Sequence, residues 1–124
     1  MVDLSSLVDT SVLAGTGLSE EALGEGWSVS VVTVGELEAG VLLAAEGAPR
    51  ASRLRRLTAV LAEAPVLAID RAVATRYGEL RAASGRRPTN DLWIVATALA
   101  HDLTLVTRDE RQAGLPLVRA TLVR

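Results

Sequence analysis

The fold is decided first by residues 6–11, which read SLVDTS. The first half of this stretch is short and largely apolar, and it ends directly at Asp9. Such a pattern predicts a short buried strand that delivers a carboxylate at its carboxyl end. Residues 103–107 are followed by Arg108 and Asp109, and they predict a second strand of the same kind.

Strands and helices are predicted to alternate along the rest of the chain. Further strands are predicted at residues 28–33, 66–69 and 117–122, and residues 15–26 predict a connection with a helical turn. Helices are predicted at residues 34–45 and 49–64. Two more are predicted, one with Asp70 as its N-cap and one that runs from an N-cap at Thr89 or Asn90 to about His101, which would cap its end. Leu54, Leu57 and Leu61 would form the apolar stripe of the helix at residues 49–64.

This alternation predicts a parallel α/β sheet covered by helices on both faces. The active site of such a sheet lies at the carboxyl ends of its strands. Asp9 and Asp109 would both lie at that edge, and Glu36 would begin the helix after the second strand. Asp91 would lie in the first turn of a helix that follows a basic loop with Arg86 and Arg87.

Length and composition limit the class of protein. A chain of 124 residues suits one domain, residues 1–124, and 49% hydrophobic residues are enough to build its core. The chain has no apolar run of eighteen residues and no recognisable signal peptide, so a soluble, cytoplasmic protein is expected. A mean hydropathy of +0.30 indicates apolar surface for a partner.

The side chains available restrict the chemistry. The chain has no cysteine and one histidine, His101, so any metal would be held by oxygen, which favours Mg²⁺ or Mn²⁺. All basic residues are arginines, and the absence of lysine excludes P-loop phosphate binding. The net charge of −2 neither supports nor excludes binding to RNA.

Clustered carboxylates would repel one another unless a cation lay between them. The dipole of its helix would keep Asp91 ionised. Such a metal site could hydrolyse a phosphodiester, because the ion polarises the phosphoryl oxygen and lowers the pKa of a bound water.

Four motifs occur in the order seen in PIN domains, and the chain most resembles the toxin ribonucleases of VapBC toxin-antitoxin pairs. The motifs are LVDTSVL at residues 7–13, VGELEAG at 34–40, TNDLWIVA at 89–96 and LVTRD at 105–109. The resemblance covers essentially the whole chain. It implies an α/β/α sandwich with five largely parallel strands in the order 3-2-1-4-5.

The resemblance also implies a function. It implies an endoribonuclease with Mg²⁺ or Mn²⁺, acting on tRNA or rRNA, a homodimer, and an antitoxin that blocks the acidic site. The family's acidic positions fall on Asp9, Glu36, Asp91 and Asp109, which would be the metal ligands. Thr107, and Thr10 or Ser11, match polar positions that support the ligands or the attacking water.

One departure and two alternatives stay open. Many relatives carry an acid and an aromatic residue after the position of Asp109, whereas this chain has Glu110, Arg111 and Gln112. That departure puts a second metal ion in doubt. The alternatives are a PIN nuclease of RNA processing or of the DNA-flap type, and a catalytically silent PIN-like module that binds RNA or a partner.

Overall fold

A computed structural model of the chain describes residues 3–14 and 23–123. Its sheet has five parallel strands in the order β3-β2-β1-β4-β5. This arrangement confirms the predicted topology. The strands are β1 (Ser6–Val8), β2 (Trp27–Ser30), β3 (Val66–Leu67), β4 (Thr104–Thr107) and β5 (Ala120–Leu122).

Helices connect these strands and cover both faces of the sheet. Those within the described residues are α1 (Thr10–Leu13), α2 (Val31–Leu43), α3 (Ala48–Glu63), α4 (Arg71–Ser84), α5 (Thr89–Ala100) and α6 (Glu110–Ala113). Val8 packs with residues of α1, α2 and α3 in one core, and Leu7 packs with residues of α4 and α5 in another. Since neighbouring residues of a strand point to opposite faces, the sheet separates the two cores and the fold is an α/β/α sandwich.

The end of β2 differs from the sequence prediction. The strand was predicted to run to Thr33, but α2 already begins at Val31. The side chain of Ser30 accepts a hydrogen bond from the backbone N–H of Val32, and this N-cap starts the helix despite the β-branched residues that follow. Glu36 consequently lies in the second turn of α2 and not at its beginning.

Two predictions about the helices are also wrong in part. The N-cap of α5 is Pro88, which makes no side-chain cap, and neither Thr89 nor Asn90 takes that position. On α3, Leu57 is buried, whereas Leu54 and Leu61 are 51% and 45% exposed. A neighbouring apolar position, Val60, packs into the core instead.

The remaining elements agree with the predictions to within a few residues. Asp70 caps α4 through a hydrogen bond from the Val73 N–H, and His101 is the C-cap of α5, both as predicted. Strands β3 and β5 are shorter than predicted. Most of the connection predicted at residues 15–26 lies outside the described residues.

Within residues 3–14 and 23–123, no helix combines the length and the apolar character needed to cross a lipid bilayer.

Candidate functional site

Asp9 lies where β1 ends and is buried, with 4% of its surface exposed. Its backbone N–H donates to Val106 O of the neighbouring strand β4, at 2.8 Å. Its carboxylate Oδ2 accepts hydrogen bonds from the Ser11 N–H, at 3.2 Å, and from the Thr107 hydroxyl, at 3.1 Å. The carboxylate is therefore held between the ends of the two central strands.

Thr107, the last residue of β4, connects Asp9 with Asp109. The Thr107 hydroxyl oxygen accepts the backbone N–H of Asp109 at 3.0 Å, while the same hydroxyl contacts Asp9. Asp109 in turn caps α6, because its Oδ1 accepts the N–H of Arg111 at 2.9 Å. The two aspartates thus follow adjacent strands at the same edge of the sheet, as predicted.

Glu36 reaches this edge from α2. Its Oε1 accepts a hydrogen bond of 2.6 Å from the hydroxyl of Thr10, the residue directly after Asp9. Glu36 is half-buried, whereas Glu38 is exposed, as its position on the other side of the helix requires. The structure therefore brings Glu36 to the edge of the sheet where Asp9 lies, as predicted from the sequence.

Asp91 is the third residue of α5 and lies in its first turn. It lines a cavity of about 230 Å³ together with Asp109. Burial, and then the charges of Asp9, Asp109 and Glu36, raise the pKa of Asp91 to about 6. Asp9, Glu36 and Asp109 therefore all lie close enough to Asp91 to act on its carboxylate.

The raised pKa of Asp91 corrects one expectation. The helix dipole was expected to keep this group ionised, and a dipole alone would lower its pKa. Burial and three like charges outweigh the dipole, because both oppose the charged form.

The four carboxylates of this acidic edge, Asp9, Glu36, Asp91 and Asp109, do not converge closely. Among the described residues, no three carboxylate or imidazole side chains form a group that could hold a metal ion without adjustment. Asp9, Glu36 and Asp109 each accept a hydrogen bond from a neighbouring residue. The direct contacts of these three carboxylates are therefore with hydrogen-bond donors and not with one another.

Basic residues form the other wall of the cavity beside Asp91 and Asp109. Arg86 and Arg87, which were predicted to lie near the acidic residues, line this cavity. Arg108 is half-buried, and its backbone N–H donates to Ser11 Oγ at 3.0 Å. Cations beside an acidic site are suited to hold the phosphates of a substrate.

Two residues of this cavity were missed as functional candidates in the sequence. Arg111 and Gln112 both lie on its wall. Gln112 is also buried and lies 2.9 Å from the Thr107 hydroxyl. The only signal in the sequence was the departure from the motif after Asp109, which gave no indication of a role.

Tyr77 and Trp93 were open to interpretation as packing residues or as part of a dimer interface. Their rings stack with centroids 3.9 Å apart, and this contact joins α4 to α5. The stacked pair therefore packs the two helices together.

The parallel sheet and its acidic edge define an α/β protein whose site is formed by carboxylates at the ends of parallel strands. Residues 6–116 match the model of the PIN domain. The chain belongs to the PIN domain family.

Individual relatives agree with this assignment. Ribonuclease VapC4 of Mycobacterium tuberculosis is 40% identical over 127 residues, which cover 95% of this chain and 96% of the relative. The structure of VapBC-5, a toxin-antitoxin system from the same organism, matches with a TM-score of 0.79 and 36% identity, covering 97% of this chain and 98% of that one. FitAcB from Neisseria gonorrhoeae matches with a TM-score of 0.77 and 27% identity, covering 92% and 94%.

PIN domain ribonucleases generally depend on a divalent metal. The side chains at the acidic edge fit such an ion chemically, because carboxylate oxygens are the donors that hard divalent cations prefer. Burial and then the charges of the other three carboxylates raise the pKa of Asp91, and a bound cation would offset the repulsion between these charges.

Proposed function

We propose that this chain is a metal-dependent endoribonuclease and the toxin of a type II toxin-antitoxin pair. The proposal rests above all on one observation: the Thr107 hydroxyl contacts both Asp9 and the backbone of Asp109, and Thr10 holds Glu36 beside them. The names of the relatives, a ribonuclease and a toxin-antitoxin system, support the proposal.

We propose Asp9, Glu36, Asp91 and Asp109 as the ligands of Mg²⁺, for which Mn²⁺ could substitute. A bound ion of this kind would polarise a phosphoryl oxygen and lower the pKa of a bound water. Thr107 and Ser11 would keep the Asp9 carboxylate in one orientation through the hydrogen bonds described above. No side-chain nucleophile is needed.

Arg86, Arg87 and Arg111 would hold the RNA strand. These arginines share the cavity with Asp91 and Asp109, so a phosphate bound there would lie next to the acidic residues. Contacts to phosphates position a nucleic acid without selecting its sequence. We propose tRNA or rRNA as the class of substrate and the cytoplasm, where these RNAs are found, as the compartment.

The proposed antitoxin would bind along a groove between α2 and α3. This groove has a volume of about 410 Å³ and leads to Glu36 and Thr10 at one end, with Arg53 and Arg56 on its wall. Leu42 and Leu43 at the end of α2 are 70% and 84% exposed, which offers apolar surface to a partner. A segment in this groove would reach the acidic site and block it.

Two further proposals concern the whole protein. We propose that residues 1–124 form a single PIN domain and that the toxin is a homodimer. Light scattering on the purified chain tests the second of these directly. A mass of about twice the 13.0 kDa of one chain supports it, and the mass of one chain contradicts it.

The experiment for the proposed activity is cleavage of total RNA by the purified chain, with Mg²⁺ or with a chelator. The variant Asp9→Asn removes one charge with little change of shape, and Asp102→Asn is the matched control. Asp102 is exposed and pairs with Arg119, so its loss should not affect cleavage. A folded wild type that cuts no RNA with any divalent metal would favour the alternative of a silent binding module.

A further inference from the structure

Gln112 is a buried polar side chain that the proposed mechanism does not use. It lies in α6, is 1% exposed, and forms part of the cavity wall beside Asp91 and Asp109. Its Oε1 lies 2.9 Å from the Thr107 hydroxyl oxygen. Its Nε2 is buried and has no hydrogen-bond partner among the described residues. A buried amide nitrogen without a partner is costly and calls for a physical explanation.

The contacts of Thr107 indicate which end of the Gln112 amide faces its hydroxyl. A hydroxyl has one proton to donate and two lone pairs with which to accept. Thr107 Oγ1 faces two acceptor oxygens, Asp9 Oδ2 at 3.1 Å and Gln112 Oε1 at 2.9 Å. The single proton can serve only one of them, and the other contact would then bring two oxygens together without a proton between them.

Exchanging the oxygen and nitrogen of the Gln112 amide removes this conflict. The two ends of an amide have nearly the same shape, so their assignment follows from the hydrogen-bond network. After the exchange, Gln112 Nε2 donates to Thr107 Oγ1, and the Thr107 proton is free to go to Asp9. With the N–H of Asp109 as a second donor, the hydroxyl has its three hydrogen bonds without the longer contact to Ser11 Oγ, at 3.3 Å.

We propose that Gln112 is a positioning residue whose amide nitrogen donates to Thr107 and so directs the Thr107 proton to Asp9. This inference rests on the proposed function. The hydrogen bonds from Thr107 and from the Ser11 N–H both fall on Oδ2 of Asp9. They fix the plane of the carboxylate, and a fixed carboxylate binds a cation more tightly than one that must first be ordered.

The test measures the affinity for Mn²⁺ by calorimetry, with no RNA present. It compares the wild type with Gln112→Met, Thr107→Val and the double variant. Losing a residue that orients a ligand commonly weakens metal binding about tenfold or more. We expect Gln112→Met to weaken Mn²⁺ binding about tenfold, and to add little once Thr107 is already valine, because Gln112 acts through Thr107.

The controls separate positioning from folding. Thr97→Val changes another fully buried threonine, one that donates only to Trp93 O within α5, and should leave Mn²⁺ binding unchanged. Melting of the metal-free variants shows which of them are folded, and Gln112→Leu replaces Gln112→Met if the latter is not. In RNA cleavage, Gln112→Met should need about tenfold more Mn²⁺ for half-maximal rate and should approach the wild-type kcat at saturating Mn²⁺, whereas a general loss of stability would lower kcat at every Mn²⁺ concentration.

Two outcomes overturn the inference while leaving the proposed function intact. One is a folded Gln112→Met that binds Mn²⁺ as tightly as the wild type. The other is a double variant whose loss of Mn²⁺ affinity equals the product of the losses in the two single variants. A wild type that binds no Mn²⁺ contradicts the proposed metal site itself and, with it, the role of Gln112.

Discussion

The two halves of the acidic edge are built differently. Hydrogen bonds from Ser11, Thr107 and Thr10 hold Asp9 and Glu36 on the side of α1 and α2. Asp91, on the side of α5, faces a cavity with arginines on its wall and has a pKa raised to about 6. The first half is therefore ordered before any ligand arrives, whereas the second half offers space and positive charge to a substrate.

This difference assigns separate tasks to the two halves. The α1 and α2 side is expected to determine how tightly the metal binds, because its carboxylates are already oriented. The α5 side is expected to determine how the RNA phosphate is held. Variants on the two sides should therefore differ in the step that they impair.

The largest effect is expected from Asp9→Asn, on the ordered side. It removes the most buried of the four carboxylates and one charge from the proposed metal site. Cleavage of RNA in Mg²⁺ should fall by about 100-fold or more, since each 1.4 kcal/mol of lost stabilisation costs a factor of about ten. Asp102→Asn should cleave like the wild type in the same assay, and equal losses in both variants would contradict the assignment.

A smaller effect is expected from Thr10→Val. The variant removes the 2.6 Å hydrogen bond to Glu36 but keeps the shape of the side chain. Affinity for Mn²⁺ should fall about tenfold, the effect typical of a residue that orients a ligand. Thr75→Val, which changes an exposed threonine on α4, serves as the control. An unchanged affinity in Thr10→Val would show that Glu36 does not need this support.

On the α5 side, Arg87→Ala should act on the substrate instead. KM for RNA should rise about tenfold, the order of one charge-assisted hydrogen bond, while the affinity for Mn²⁺ stays the same. The effect should shrink at high salt, because salt already weakens phosphate contacts. Arg76→Ala removes an exposed arginine that pairs with Glu79 and is the matched control. A fall in Mn²⁺ affinity without a change in KM would reverse the proposed division of tasks.

The smallest effect is expected on the thermal stability of the Asp91→Asn variant, measured without metal. The pKa of Asp91 is raised to about 6 from 3.8, so the folded protein binds this proton more tightly than the unfolded chain. The stabilisation from protonated Asp91 is present below about pH 4 and is lost as the pH rises through about 6. Asn cannot ionise and avoids this loss.

Thermal melting measures this effect. At pH 7.5 the metal-free Asp91→Asn variant should melt about 3 °C above the wild type, although it should be inactive. The difference should disappear toward pH 4. A variant that is less stable than the wild type at pH 7.5 would show that ionisation of Asp91 does not destabilise the folded protein.

The sequence predicted those parts of the site that follow from sheet topology. Asp9 and Asp109 each follow an apolar stretch, and parallel strands bring such residues to one edge. The end of β2 could not be placed, because Val31, Val32 and Thr33 favour strands while the cap at Ser30 starts a helix. At this position the N-cap hydrogen bond to Ser30 outweighs the preference of the following residues for a strand.

Properties that depend on distant contacts could not be predicted. The helix dipole is local and was visible in the sequence, but the burial and the three like charges that raise the pKa of Asp91 come from other elements. The role of Gln112 likewise depends on its contact with Thr107 across the turn after β4. Nothing in the spacing of the two residues distinguishes this glutamine from an exposed helix residue.

The central claim is that the four carboxylates form one metal site. Anomalous diffraction from crystals of the protein containing Mn²⁺ tests it most directly. The account predicts an anomalous peak between Asp9, Glu36, Asp91 and Asp109. Carboxylate oxygens of at least two of these residues should lie about 2.1 Å from the peak. A peak elsewhere, or no peak at this edge at millimolar Mn²⁺, would contradict the account.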